Sequence, residues 1–87
     1  MRKASSESKS SDRQIAIEAI KQAAEKWPST FVARSKLGVF TGGLIAPGTA
    51  ANEDSRRTGI RGAFKIGRNV AYPTTEVVNW LLARLEV

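Results

Sequence analysis

Phe64-Lys65-Ile66-Gly67-Arg68-Asn69-Val70-Ala71-Tyr72 is the stretch whose reading decides the fold. Apolar residues alternate with polar or small ones on either side of a Gly-Arg-Asn centre, which is the pattern of a β-hairpin. With Gly67-Arg68-Asn69 as a three-residue loop, Ile66 faces Val70 and Phe64 faces Tyr72, while Lys65 and Ala71 fall on the opposite face. Asn69 closes such a loop in the left-handed region, which asparagine tolerates better than most residues. One face of the hairpin is then core, and its tip carries an exposed Arg68. A hairpin of this size is not stable alone in water, so the rest of the chain must cover its apolar face.

That cover is legible on both sides. Downstream, Pro73-Thr74-Thr75 opens a helix with Thr74 or Thr75 as N-cap, and Val77, Val78, Trp80, Leu81, Leu82 and Leu85 make one broad apolar face. Upstream, Phe31-Val32 is short and β-prone. A helix of about two turns follows over Ala33 to Thr41, with Leu37 and Phe40 three apart, and Gly42-Gly43 close it. Pro47 suits the first turn of a further helix running through Thr49 to Arg57, and Thr58-Gly59 ends it. The segment from Thr41 to Arg57 therefore reads as helix, tight turn, helix. Nearer the start, Asp12 is placed as N-cap of an amphipathic helix that Pro28 stops after Trp27. Ile17, Ile20, Ala24 and Trp27 form its apolar stripe, widened by Ile15, Ala16 and Ala23. Such a stripe either joins the core or pairs with a second copy of itself. Residues 1–11 hold five Ser, three basic residues and one Glu, and read as a flexible basic tail with at most a weak phosphate contact.

Composition narrows the function. A chain of 87 residues is one domain, here spanning 12–87 with its core in 31–87. It contains neither Cys nor His, which removes disulfides, thiol and imidazole catalysis and the usual zinc sites. No carboxylates fall at metal-ligand spacing, so we expect no metal, no cofactor and no enzyme activity. No apolar run has the length of a membrane span and no signal peptide is evident, so we expect a cytoplasmic protein without a membrane partner. The net charge of +6 suits an anionic partner. Most of it lies between Arg34 and Arg68: seven bases (Arg34, Lys36, Arg56, Arg57, Arg61, Lys65, Arg68) less Glu53 and Asp54, a net +5.

Three segments together resemble a known family: Thr49-x-x-Asn52-x-Asp54-Ser55-Arg56, then Phe64 to Pro73, then Glu76-Val77-x-x-Trp80-Leu81. The chain is similar over residues 31–86 to the small MerR-superfamily winged-helix proteins of phages and integrated elements, the excisionases and AlpA-like regulators. The resemblance implies a mainly α fold with a small β-hairpin, a winged helix-turn-helix, here preceded by an extra N-terminal amphipathic helix. It departs from the family at Ala50 and Glu53, where similar sequences carry bulky apolar residues that seat the recognition helix.

The same resemblance implies sequence-specific binding of double-stranded DNA. The recognition helix, with Thr49, Asn52, Arg56 and Arg57, would enter the major groove, where Thr49, Asn52 and Arg56 reach base edges, Asn reading adenine and Arg reading guanine. The wing would bring Lys65, Arg68 and Asn69 to the DNA, Arg68 near the minor groove, while Lys65, Arg57, Arg61 and the Ser35-Lys36 pair contact phosphates, fixing register without reading sequence. The implied role is an excisionase-like recombination directionality factor or a small transcription regulator, with integrase or RNA polymerase as protein partner and self-association on DNA or through residues 12–27. Glu53 and Asp54 are expected to orient Arg56 or Arg57 through a salt bridge. Two alternatives stand beside this. One is a protein-interaction module whose basic face meets an acidic partner. The other is the DNA-binding head of a phage packaging subunit, disfavoured because no oligomerising part follows Val87.

Overall fold

The computed structural model describes residues 2–86, with side chains from Ser11 onward. The chain is mainly helical with one small antiparallel sheet. Its elements are α1 (Arg2–Lys26), β1 (Phe31–Ala33), a 3-10 turn (Arg34–Lys36), α2 (Leu37–Phe40), α3 (Pro47–Ser55), β2 (Phe64–Ile66), β3 (Asn69–Pro73) and α4 (Thr74–Ala83). β3 is the central strand, with β1 on one side and β2 on the other.

Helix α1 begins at Arg2, not after Asp12, so Asp12 lies inside the helix and caps nothing. No Gly or Pro interrupts the chain before Pro28, which is why the backbone continues as helix through the Ser-rich segment. The tail phosphate contact expected of residues 1–11 falls almost wholly on side chains outside the described set. The C-terminal half of α1 packs on its own domain: Ala23, Ala24 and Trp27 meet the core, and the helix lies against α4. Ile15, expected to widen the apolar stripe, is exposed. Trp27 anchors the helix end by meeting Phe40 edge-to-face at 5.3 Å and donating its indole N–H to the Phe31 carbonyl at 2.9 Å.

The core comprises Val32, Leu37, Phe40, Ala50, Ile60, Tyr72 and Val77. Burying each of the larger aliphatic members contributes about 1.5–3 kcal/mol. The 3-10 turn and α2 together cover the segment read as one short helix. Gly42 and Gly43 end it at φ 66° and 92°. The connection to α3 then runs from Thr41 to Ala46, longer than a tight turn. Thr41 organises it by donating its hydroxyl to the Leu37 carbonyl at 2.6 Å and accepting the Ile45 N–H at 3.0 Å. At α4 the expected threonine cap is absent, since Pro73 precedes the helix. Thr74 is buried, and its hydroxyl donates instead to the Ser29 carbonyl at 3.1 Å, tying α4 to the approach of β1.

The hairpin register differs by one residue from the sequence reading. Phe64 pairs with Ala71, Lys65 with Val70 and Ile66 with Asn69. The loop is therefore Gly67-Arg68 alone. Gly67 takes the positive φ of 64° at the first turn position, the geometry that best matches strand twist, and Asn69 is an ordinary strand residue. A one-residue slip turns every side chain of one strand to the other face. Phe64 and Ile66 consequently lie on the outer face, where Phe64 meets Phe31 edge-to-face at 5.7 Å and Ile66 is 69 % exposed. Lys65 goes to the helix side with Val70 and Tyr72.

Candidate functional site

All ten side chains singled out in the sequence are exposed: Ser35, Lys36, Thr49, Asn52, Arg56, Arg57, Arg61, Lys65, Arg68 and Asn69. Thr49 and Asn52 lie on α3 with Arg56 at its C-cap, so 49, 52 and 56 follow one side of the helix. Asn52 makes no side-chain hydrogen bond among the described residues, which leaves its amide available. Arg68 occupies the second position of the hairpin turn. Ser35 and Lys36 belong to the 3-10 turn after β1.

The structure gathers a different subset into one place. An open cleft of about 710 Å³ lies between the end of α3, the loop that follows it, and β2. Arg34, Arg57, Arg61 and Lys65 line it, with Asp54 as the only carboxylate. Lys65 lines this cleft together with its strand neighbour Phe64, at the free edge of β2.

The two acids of α3 do not orient Arg56 or Arg57, as expected; each is matched to an arginine elsewhere. Asp54 accepts from Arg34 Nη2 at 2.6 Å and from the Tyr72 hydroxyl at 2.7 Å, and Arg34 Nε donates to that same hydroxyl at 2.9 Å. The three residues lock α3 to the start of the 3-10 turn and to β3. Burial, with Asp54 beside it, pushes the Tyr72 hydroxyl above the usual phenol range. The hydrogen bond with Tyr72, followed by the pairing with Asp54, raises the Arg34 guanidinium further from neutrality. Glu53 accepts from Arg84 of α4 at 2.7 Å and from the Thr58 hydroxyl at 2.6 Å. The Thr58 hydroxyl, with Arg84 and Arg56 nearby, holds its carboxyl below the usual range. Glu53 thus fastens α3 by charge to Arg84 at the C-cap of α4. Ala50 is 3 % exposed and seats the helix directly in the core.

Matching the acids leaves the bases uncovered. Of the seven bases between Arg34 and Arg68, only Arg34 forms an ion pair among the described residues. Lys36, Arg56, Arg57, Arg61, Lys65 and Arg68 face no carboxylate within salt-bridge distance.

The loop after α3 is built around its end. The Thr58 N–H bonds the Glu53 carbonyl and the Arg57 N–H bonds the Asp54 carbonyl, both at 3.0 Å, the two bonds of a Schellman closure. Its left-handed position, normally glycine, is Arg57 at φ 63°, the one non-glycine residue with positive φ among those described. An L side chain there costs about 1 kcal/mol. Trp80 Nε1 donates to the Thr58 carbonyl at 2.9 Å and Arg84 Nη2 at 3.1 Å, holding the turn from α4. Gly59 packs so tightly on Asp54 that no Cβ fits, and Gly62, at φ 77°, lies against the Pro73 ring.

Separately, α1, α4 and the segment around and after α2 line an apolar groove of about 680 Å³, where Val39 and Leu44 are largely exposed. No helix of the described residues is long and apolar enough to cross a membrane, and no group of three or more acidic, His or Cys residues among them is placed to hold a metal. No protein-family model matches the chain, and no curated protein or solved structure matches it either.

The sequence missed the Arg34–Asp54–Tyr72 network, because its members stand 18 to 38 residues apart and no local pattern links them.

Proposed function

We propose that the chain is a winged helix-turn-helix protein that binds duplex DNA, of the kind found in excisionases and small regulators of phages or integrated elements. The observation that carries this reading is the set of six bases without acidic partners among the described residues: Lys36 on the 3-10 turn, Arg56, Arg57 and Arg61 at the end of α3 and in the loop that follows, and Lys65 and Arg68 on the hairpin. In this reading α2 and α3 form the helix-turn-helix, and β2 with β3 forms the wing. α3 presents Thr49, Asn52 and Arg56 to base edges in the major groove, each well-made bidentate contact being worth about 1–3 kcal/mol of discrimination. Arg68 at the wing tip enters the minor groove, whose negative potential is greatest where it is narrow. Lys36 and Ser35 touch the flanking backbone. A directionality factor and a transcription regulator share this biochemistry, with integrase or RNA polymerase as the respective partner.

Fluorescence anisotropy of a labelled mixed-sequence duplex across a salt series tests the reading. Each phosphate neutralised contributes about −0.9 to the slope of log K against log salt, so a steep negative slope is expected. Arg68→Ala is expected to flatten that slope by about one unit. A chain that binds no duplex at about 50 mM salt sinks the proposal.

A further inference from the structure

We infer that the cleft between the end of α3 and β2 is a seat for one backbone phosphate of the duplex, held by Arg57, Arg61 and Lys65. This rests on the duplex-binding reading and deepens it: bases expected singly on the DNA backbone share one cleft and one phosphate.

Three independent features lead there. The first is the geometry of DNA: one sugar–phosphate strand separates a major groove from the adjoining minor groove. A protein that places one element in each must let that strand pass between them. Here the cleft is the space between those elements, lined by Asp54 and Arg57 from the α3 end and by Phe64, Lys65 and Val70 from the hairpin.

The second is charge. Asp54, the only acid of the cleft, is already satisfied by Arg34 and Tyr72, so three positive side chains remain with nothing opposite them. An anion entering the cleft meets donors on both walls.

The third is conformation. Arg57 occupies a left-handed position for which glycine is the usual residue, and such strain in a non-glycine residue gathers where a side chain has work to do. Arg61 stands between buried Ile60 and Gly62, whose positive φ closes the loop against Pro73. The loop is thereby fixed before any ligand arrives, so little ordering cost opposes binding.

The test combines two readouts on the full chain. Arg57→Gly relieves the strain, so its urea midpoint is expected to rise while its affinity for the labelled duplex falls. Arg57→Gly, Arg61→Ala and Lys65→Ala are each expected to weaken different duplex sequences equally, and the triple variant to flatten the salt slope by about one unit, the loss of one phosphate. If the wild type binds duplex with a slope that Arg68→Ala flattens and the triple cleft variant does not, the seat is overturned and the DNA reading survives. If the wild type binds no duplex, both fall together. If poly-glutamate competes at the same charge concentration as DNA, the cleft belongs to an acidic protein partner and the inference is overturned.

Discussion

Glu53 and Asp54 turn into the molecule; Arg56 and Arg57, one helical turn further along, turn out of it. Both acids are bound to arginines that come from distant parts of the chain, and both bases are left without an acidic partner. The inner pair does the work of assembly: Asp54 holds α3 to the sheet through Arg34 and Tyr72, and Glu53 holds it to α4 through Arg84. The outer pair contributes no comparable contact, and Arg57 even stands in a backbone conformation that costs stability. The difference teaches that a count of net charge understates the electropositive face. In the segment from Arg34 to Arg68 the acids are spent internally, while six of the seven bases remain for a ligand.

The comparison predicts a crossed pattern, stability without affinity on the inner side and affinity without stability on the outer. The largest effect is expected from Asp54→Ala, which leaves Arg34 without its carboxylate and the buried Tyr72 hydroxyl without its acceptor. A loss of about 2–3 kcal/mol is expected in urea unfolding, the pair being partly rather than fully buried. At temperatures where the variant is folded, its duplex affinity should not fall, since a negative charge has left the cleft. Tyr72→Phe removes only the bridging hydroxyl and should cost about 1–2 kcal/mol.

Acid comes next. The Glu53 carboxyl lies below its usual range in the folded protein, so its contribution is present above the unfolded-state carboxylate pKa and is lost as pH falls through the lower folded value. Stability measured from neutral pH downward should therefore decline in that window, and Glu53→Gln should make the decline shallower. The smallest effect belongs to the outer side: Arg61→Ala should change stability by no more than about 0.5 kcal/mol, the usual range for an exposed residue without partners. A larger loss there would break the comparison, because it would give the loop arginine a structural role.

Element types were largely legible in the sequence. The stripe from Ile17 to Trp27, the Gly42-Gly43 stop, the alternation about Gly67 and the apolar face of α4 are local patterns, and local patterns survive in the fold. What was not legible depended on choices the local sequence leaves balanced. Gly67 and Asn69 both tolerate positive φ, and the hairpin register turns on which of them takes it. The consequence is large, since the register decides that Phe64 and Ile66 lie on the outer face of the sheet and Lys65 on the helix side. Asp12 is a good cap by type, yet helix continues upstream of it where no breaker intervenes. The partners of Glu53 and Asp54 were out of reach for another reason. Arg84 and Arg34 meet them only after α4 and the sheet are in place, at separations of 31 and 20 residues.

The most direct measurement is an amide chemical-shift titration of the isotope-labelled full chain with an unlabelled duplex. The account predicts perturbations concentrated on Thr49 to Arg57, on Arg61 to Lys65 and at Arg68 and Asn69, with Ile17 to Ala24 of α1 nearly silent. Perturbations centred on the apolar groove around Val39, Leu44 and Leu81, with the cleft loop and hairpin tip unmoved, would contradict it.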